Sequence, residues 1–324
     1  MTPSSPPSDF DAQAHALLQR QARAWPLLGA NVEGFKNIRT RALELENFSV
    51  RLQFNPARVA SALAKVDPAA IRERKCFLCP AHLPAEQEGL PFQDDYLVLC
   101  NPFPIFPEHF TIVHRAHRPQ AIADTFDAML ALAEAMAGRY TIFYNGPRCG
   151  ASAPDHLHFQ AGNRGFMPIE TQLDPLTGEP PTAADGVTAR AVPALRPFFV
   201  LGGADRGAIG AAFAHLYRAL DETADATSRG EEPMMNVLAW FDAGAWRVIV
   251  FPRARHRPSF FFAEGDARIL LSPGSVDLGG VCILPVERDF DRLTADHLRT
   301  MFREVMLPPE AFGQVARRLR QLRG

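Results

Sequence analysis

Two histidines and a glutamine alternate along one short segment and carry the clearest chemical signal in the sequence. The segment reads His156-Leu157-His158-Phe159-Gln160. Because side chains alternate between the two faces of a β-strand, a strand here places both imidazoles and the amide on one face. Leu157 and Phe159 then anchor the strand in the core. Imidazole near neutral pH supports nucleophilic, acid–base or metal-binding chemistry.

The stretch 145–154 before these histidines predicts a flexible loop that suits an anion. It contains Asn145, Gly150 and Ser152. Glycine-rich backbone can present N–H groups to phosphate oxygens. A pair of strand histidines also suits a metal ion, so the residue types alone leave phosphate chemistry and metal chemistry open. Asp155 directly before the motif would repel a phosphate unless its side chain turns away.

A C-x-x-C pair, Cys76 and Cys79, predicts a metal site. Two thiolates at this spacing can share a zinc ion, and structural zinc takes four ligands. The remaining two ligands would be histidines, and the candidates are His82, His109, His114, His117 and His156. A thioredoxin-like redox motif needs a βαβ setting, which the sequence pattern does not provide.

A basic segment, 252–257, follows a predicted strand and offers a second place for phosphate. Its side chains include Arg253 and Arg255. The planar guanidinium can bind phosphate in a bidentate manner. The alternative is a solvated basic turn at the end of the strand.

The periodicity of the chain predicts an α+β protein with antiparallel sheets. Many hairpins and mixed elements favour this class over a doubly wound sheet. Apolar residues in helical rotation or in alternation predict the following elements: helices over 12–25, 121–139, 207–226 and 295–305, strands over 47–54, 96–100, 110–113, 140–144, 156–160 and 281–286, and a hairpin of 235–240 with 246–251.

An internal echo indicates two related lobes. The stretch 112–119 resembles 249–258, and each ends a strand before a proline-marked turn. We therefore divide the chain into an N-terminal tail and helix (1–23), a catalytic lobe (24–169), a proline-rich connection (170–197) and a second lobe (198–324). Phe260, Phe261 and Phe262 are assigned to the core.

Bulk composition excludes several function classes. The chain has 324 residues, a formal net charge of −2 and 47% hydrophobic residues. This charge creates no general attraction to nucleic acid or to an anionic membrane, and the apolar runs are too short to cross a bilayer. The first residues lack the pattern of a signal peptide and predict a disordered tail. Five cysteines, of which only two are close in sequence, favour reduced thiols in a cytoplasm.

The stretch from Asn145 to Gln160 resembles the active-site signature of the histidine-triad superfamily. It is most similar to the branch of galactose-1-phosphate uridylyltransferases, diadenosine tetraphosphate phosphorylases and GDP-hexose phosphorylases. That signature combines an asparagine, a glycine- and serine-bearing loop and His-x-His-x-Gln. The similarity covers 75–162 well and the second lobe loosely. It implies a HIT-like fold of two related lobes.

The resemblance implies a role for each matching residue. His158 corresponds to the nucleophile that carries the nucleotide, and Gln160 to the amide that steadies the phosphoryl oxygens. Asn145, Gly150 and Ser152 would hold phosphate oxygens, as would Arg253 and Arg255 in the second lobe. The uridylyltransferase zinc site maps onto Cys76, Cys79, His117 and His156, with a structural role for the zinc.

The implied activity is nucleotidyl transfer through a covalent nucleotidyl-histidine. The substrate would be a nucleoside diphosphate sugar or a dinucleoside polyphosphate, and the acceptor would be phosphate or a sugar phosphate. Phosphorolysis is favoured, because the second-lobe segments resemble those of phosphorylases. Two alternatives remain: a metal-dependent hydrolase whose metal ligands are His156, His158 and Asp155, with His117 as a further candidate, and a non-catalytic zinc-stapled nucleotide-binding protein. The oligomeric state stays open, with a homodimer among the options.

Overall fold

The computed structural model describes residues 9–59, 63, 68–176, 182–184, 186–223 and 230–320. The tail predicted before Asp9 and residues 224–226 of the predicted helix over 207–226 lie outside this part of the chain. Within it, every helix is too short or too polar to cross a membrane.

The helices lie on both sides of the sheets. In chain order they are α1 (Phe10–Ala24), α2 (Pro26–Phe35), α3 (Pro68–Glu73), α4 (Phe126–Ala135), α5 (Ile169–Leu176), α6 (Arg206–Asp221), α7 (Ser275–Leu278), α8 (Glu287–Arg292), α9 (Ala295–Val305) and α10 (Pro309–Arg320).

The strands form one large and one small sheet. They are β1 (Arg39–Leu45), β2 (Phe48–Phe54), β3 (Gly89–Phe92), β4 (Tyr96–Cys100), β5 (His109–His114), β6 (Tyr140–Asn145), β7 (His158–Asn163), β8 (Thr182–Ala184), β9 (Val187–Val192), β10 (Phe198–Gly203), β11 (Met235–Asp242), β12 (Ala245–Pro252) and β13 (Val281–Leu284).

The large sheet consists of two halves with the same strand order. Its order is β3-β4-β5-β7-β6-β11-β12-β10-β9-β8. We count the five strands of each half in chain order. From the outer edge inward, both halves then have the order first, second, third, fifth, fourth. In both halves the third and fourth strands are also connected by a long helix, α4 or α6. The halves meet where β6 pairs with β11 in antiparallel register. The prediction of an α+β fold with two related units and antiparallel sheets is therefore confirmed.

The internal echo pointed to the wrong pair of strands. It related the end of β5 to the end of β12, whereas the strand order makes β12 the counterpart of β7 and β10 the counterpart of β5. The similarity therefore joins the ends of two strands that are not equivalent in the fold.

The predicted connection over 170–197 contributes β8 and β9 to the second half of the large sheet. Prolines 193 and 197 lie between β9 and β10 and do not interrupt either strand. The small sheet crosses the predicted lobes, since β2 pairs with β13 in parallel. The domain boundaries given above stay a prediction.

Two large hydrophobic cores and a small cluster around Cys76 hold the elements together. One packs α1, α4, α6 and α10 against the large sheet, and the other packs the small sheet, α8 and α9 against its opposite side. Phe260 and Phe261 are buried as expected, but Phe262 is 69% exposed and does not belong to the core. Phe260 and Phe261 lie in a short 3-10 helix and Phe262 directly follows it, so the three consecutive side chains cannot all face inward.

Candidate active site

The strand that carries the histidine motif begins at His158. β7 lies between β5 and β6, and Leu157 and Phe159 are completely buried. His158 and Gln160 therefore share one face of the strand, as predicted. His156 lies in the turn before the strand instead of on that face, and its ring approaches the sulfur atoms of Cys76 and Cys79.

His158 is held as a neutral imidazole with a free nitrogen. Its Nδ1 lies 2.8 Å from the carbonyl oxygen of His156. A carbonyl only accepts hydrogen bonds, so Nδ1 carries the proton and Nε2 carries the lone pair. Nε2 has no hydrogen-bond partner among the described residues and is not fully buried. The residue as a whole is 4% exposed, and burial lowers the pKa of His158 to about 4. The nitrogen therefore keeps an unprotonated lone pair at neutral pH, as a nucleophile requires.

A buried glutamine that the sequence analysis did not identify holds the backbone of His158. The Oε1 atom of Gln120 accepts the His158 N–H at 2.8 Å, and its Nε2 donates to the His158 carbonyl at 3.0 Å. The same Nε2 donates to the carbonyl of Asn145 at 2.9 Å. Gln120 thus joins β7 to the end of β6. The sequence around it offers no signal for this role.

The amide of Gln160 has a fixed orientation. His109 is almost fully buried and receives the Ile105 N–H on Nδ1, so its Nε2–H donates to Gln160 Oε1 at 3.0 Å. Burial lowers the pKa of His109 to about 3, so the ring is a permanent donor. The Gln160 NH2 group, which has no other partner in the described part of the chain, is left for a ligand.

Asn145 is oriented by the second half of the sheet. Its Oδ1 accepts three hydrogen bonds, from Asn236 Nδ2 at 2.8 Å and from the backbone N–H and hydroxyl of Ser275 at 2.8 and 2.7 Å. The carbonyl oxygen is saturated, and the NH2 group is left to face a ligand. Gly274 permits this packing, because a Cβ there would lie 2.9 Å from Asn145 Oδ1.

These amides line a cavity of about 770 Å³, counted with its opening to solvent. Its walls come from the loop after β6, from β7, from the segment after β2 and from the second half of the protein. The lining includes Arg58, Asn145, Gly150, Ser152, Gln160, His256, Arg257, Ser272, Ser275 and Asp277. His158 does not itself form the wall, but lies two residues from Gln160 on the same strand face.

The structure changes the choice of arginines. Arg253 is 3% exposed, and its three nitrogens donate to Asn236 Oδ1 and to backbone carbonyls, including that of Pro273. It therefore braces the loops behind the cavity instead of binding phosphate. Arg255 is exposed and is not part of the cavity wall. Its predicted role as a phosphate ligand has no support in this arrangement.

Arg58 and Arg257 provide the cationic side chains of the cavity. Arg58 follows β2 and donates to the Phe103 carbonyl; burial lowers its pKa to about 10, so it stays charged at neutral pH. Arg257 donates to Ser272 and lies over the ring of Phe261. The basic segment that contains Arg257 was recognised in the sequence, but its geometry selects a different member. Arg58 gave no sequence signal.

The predicted metal ligands come together. Cys76, Cys79, His117 and His156 each offer an atom, and these atoms lie within 4.8 Å of one another. Both rings present Nδ1 to sulfur: His156 at 3.3 Å from Cys76, and His117 at 3.2 Å from Cys79. Two thiols and two imidazoles form a donor set that suits tetrahedral zinc. The other candidate histidines, His82, His109 and His114, lie outside the cluster.

Hydrogen bonding adjusts the acidity of this cluster. Burial alone would raise the pKa of Cys76, but hydrogen bonds from His156 and from the Leu78 backbone bring it down to about 6. Burial and the neighbouring Cys76 raise the pKa of Cys79 to about 11. Asp155, whose charge was a concern for phosphate binding, turns toward this cluster and pairs with Arg74.

Comparison with known proteins places this geometry in context. Residues 17–163 match a sequence family described as "Domain of unknown function (DUF4922)". No curated protein matches the chain significantly by sequence. The yeast Ap4A phosphorylase Apa2 has a similar structure, with a TM-score of 0.59, 22% identity and coverage of 90% of this chain and 97% of the yeast chain. The same enzyme in complex with Ap4A gives a TM-score of 0.59, 20% identity and coverage of 91% and 98%.

The likeness extends over nearly the whole of both chains, and so includes both halves of the large sheet, the first of which contains the histidine strand. The chain therefore has the HIT-like fold of the yeast Ap4A phosphorylase, the fold that its motif from Asn145 to Gln160 predicted.

Proposed function

We propose that this protein is a nucleotidyltransferase of the phosphorylase type that acts on a dinucleoside polyphosphate. The observation that carries the proposal is a cavity whose polar groups face the ligand as donors, next to a neutral histidine with a free Nε2. The choice of substrate is supported by the similar yeast structures, which are described as an Ap4A phosphorylase and as its complexes with AMP and Ap4A.

The first step is a displacement at the α-phosphorus. His158 Nε2 forms a bond to phosphorus, the bridging P–O bond breaks, and the nucleoside polyphosphate leaves with the electron pair of that bond. The ring keeps its Nδ1 proton and becomes cationic. The His156 carbonyl, already hydrogen-bonded to that proton, stabilises the new charge. This step requires the α-phosphate to lie against β7 beside Gln160 and His158.

The second step reverses the first with a new oxygen nucleophile. An oxygen of inorganic phosphate attacks the phosphorus, the N–P bond breaks, and its electron pair returns to His158 Nε2. The products are a nucleoside diphosphate and the neutral imidazole. One difficult exchange is thereby divided into two displacements of similar chemistry.

The donors around the cavity match the charge of a polyphosphate. Asn145 and Gln160 turn their NH2 groups to the ligand because His109, Asn236 and Ser275 occupy their carbonyl oxygens. Arg58 and Arg257 add guanidinium groups from two different parts of the chain. Such preorganised donors stabilise the charge that spreads over phosphoryl oxygens in the transition state.

Transfer to phosphate is favoured over transfer to water, because the group beside His158 on the strand face is an amide that cannot take a proton from water. The Gln160 amide does not ionise. Burial lowers the pKa of His256 to about 3, so it is a weak base. Burial raises the pKa of Asp277 to about 6, but its two oxygens are occupied by the backbone N–H groups of Gly274 and Ile283. An already ionised phosphate needs no base to act as a nucleophile.

We also propose that Cys76, Cys79, His117 and His156 hold a structural zinc ion. The support is the S2N2 donor set and the orientation of both Nδ1 atoms toward sulfur. When bound, zinc would supply rigidity and no step of the reaction. His156 links the cluster to the chemistry, since its ring belongs to the cluster and its backbone carbonyl orients His158. His158 and Asp155 lie outside the four-residue group, which gives no support to a metal-dependent hydrolase.

Intact-protein mass spectrometry tests the proposed activity. We expect incubation with Ap4A in the absence of phosphate to add one adenylyl group, and subsequent phosphate to remove it and release ADP. His158→Asn should abolish the adduct, while His215→Asn, at a partly exposed position of α6 outside the cavity wall, should leave it unchanged. An adduct that persists in His158→Asn, or turnover of Ap4A without any adduct in the wild type, would exclude the covalent mechanism.

A further inference from the structure

An ion pair connects the candidate metal cluster with the loop that lines the cavity. Arg74 donates to Asp155 Oδ1, and Asp155 Oδ2 lies 3.9 Å from His117 Nε2. Asp155 follows Ser152 of the cavity wall by three residues and directly precedes His156. Its carboxylate is only 15% exposed. A single side chain therefore borders both the cluster and the loop.

The two histidines of the cluster have different outer partners. Both turn Nδ1 toward sulfur, so each Nε2 carries the proton when Nδ1 binds a metal. His156 donates this Nε2–H to the His114 carbonyl at 2.7 Å. The half-exposed ring of His117 has the Asp155 carboxylate 3.9 Å from its Nε2, beyond hydrogen-bond distance but close enough for a small movement to form the bond. Metal-bound histidines commonly donate their second N–H to a carboxylate or carbonyl, which fixes the ring.

Asp155 is held in place by Arg74, two residues before the C-x-x-C segment. The guanidinium of Arg74 lies 5.1 Å from the ring of Phe77, the residue that directly follows Cys76 in the C-x-x-C segment. Its Nη1 is buried without a hydrogen-bond partner, which is a costly arrangement for a cation. The ion pair with Asp155 offsets this cost and balances the charge of the carboxylate. Arg74 thus directs the carboxylate toward His117 and away from the cavity.

We propose that Asp155 is a positioning residue that orients His117 for metal binding through Nδ1 and ties the cavity loop to the metal cluster. The inference rests on the zinc site of the proposed function. It differs from that site in assigning a carboxylate that is not a ligand.

Zinc affinity measured by competition with a chromophoric chelator tests this role. Outer partners of ligating histidines typically contribute about 10–100-fold to metal affinity. We therefore expect Asp155→Asn to bind zinc about 10–100-fold more weakly than the wild type, and Asp155→Glu, which keeps the carboxylate, to recover most of the loss. Asp127→Asn is the matched control, because Asp127 pairs with Arg206 on the surface; its zinc affinity should equal that of the wild type.

Cobalt(II) substitution provides a second measurement. The ligand-field absorption of the Asp155→Asn protein should shift, because the ring of His117 loses its orientation, while Asp127→Asn retains the wild-type spectrum. A wild-type protein that binds no zinc removes the metal site and this inference with it. Wild-type affinity and spectrum in Asp155→Asn, or an Asp155→Glu protein as weak as Asp155→Asn, overturn the positioning role and leave the zinc site intact.

Discussion

The two halves of the large sheet share a strand order but differ in chemistry. β7 in the first half begins with His158 and carries Gln160 beside the cavity. Its counterpart β12 is a mostly buried strand that ends at Pro252, and Arg253 directly after it turns inward. Equivalent strands thus carry the proposed reactive groups in one half and lead into a buried brace in the other.

The second half contributes to the cavity by orienting Asn145, although its predicted phosphate ligands, Arg253 and Arg255, do not line the cavity. Arg253 donates to Asn236 Oδ1 at 2.6 Å, and Asn236 donates to Asn145 Oδ1 at 2.8 Å. The chain of hydrogen bonds crosses the junction between β11 and β6. Because Asn145 receives its orientation from the other half, neither half forms the donor-lined cavity by itself.

Removal of the nucleophile should have the largest effect. His158→Asn should lower the rate of Ap4A phosphorolysis by on the order of 10³-fold or more, since both displacements use Nε2. Initial rates of ADP formation measure this. The variant should remain folded, because its backbone contacts to Gln120 persist. A loss of less than tenfold would show that His158 is not the nucleophile, and the proposed chemical difference between β7 and β12 would be wrong.

Loss of the brace should reduce stability before it affects affinity. Arg253→Met leaves several buried carbonyls without donors, and we expect the free energy of unfolding to fall by about 3 kcal/mol. The exposed neighbour is a matched control: Arg255→Met should change it by less than about 0.5 kcal/mol. Urea denaturation measures both. A stable Arg253→Met protein with a raised KM for phosphate would restore the direct phosphate role and contradict the brace.

Loss of one of the bonds that orient Asn145 should have a moderate effect. In Ser275→Ala the hydroxyl disappears, but the Ser275 N–H and Asn236 still donate to Asn145 Oδ1. One hydrogen bond is worth about 1 kcal/mol, so kcat/KM for Ap4A should fall about fivefold. Steady-state kinetics test this. An unchanged kcat/KM would show that the second half of the sheet does not control the orientation of the Asn145 amide.

The smallest expected effect concerns pH. A free imidazole with a pKa of about 6.5 is roughly three-quarters protonated at pH 6. Burial lowers the pKa of His158 to about 4, so the ring stays neutral there, and protonation reduces nucleophilicity only as pH falls toward 4. The rate of adenylyl-enzyme formation, measured by rapid quench, should therefore stay level from pH 8 to pH 5.5. A decline centred near pH 6.5 would show an unperturbed imidazole.

Local patterns in the sequence predicted most of the elements that position the site. The strand over 96–100, the hairpin at 235–252 and the helix over 295–305 follow directly from alternation, turn residues and helical periodicity. The four cluster residues were also predicted from the sequence. The C-x-x-C spacing identified Cys76 and Cys79, and the family resemblance selected His117 and His156 among the histidines. The roles of His158 and Gln160 remain predictions until the experiments above are done.

Only the tertiary structure determined which groups face the cavity. Arg58, Gln120 and Arg257 reach the site from segments far apart in the chain, and sequence spacing carries no record of such contacts. Arg253 and Arg257 are indistinguishable by residue type, and burial decides that one braces and the other lines the cavity. The sequence by itself determined the periodicity of strands and helices and the chemistry of the motif. The three-dimensional packing determined hydrogen-bond partners and burial, on which tautomer, amide orientation and pKa depend.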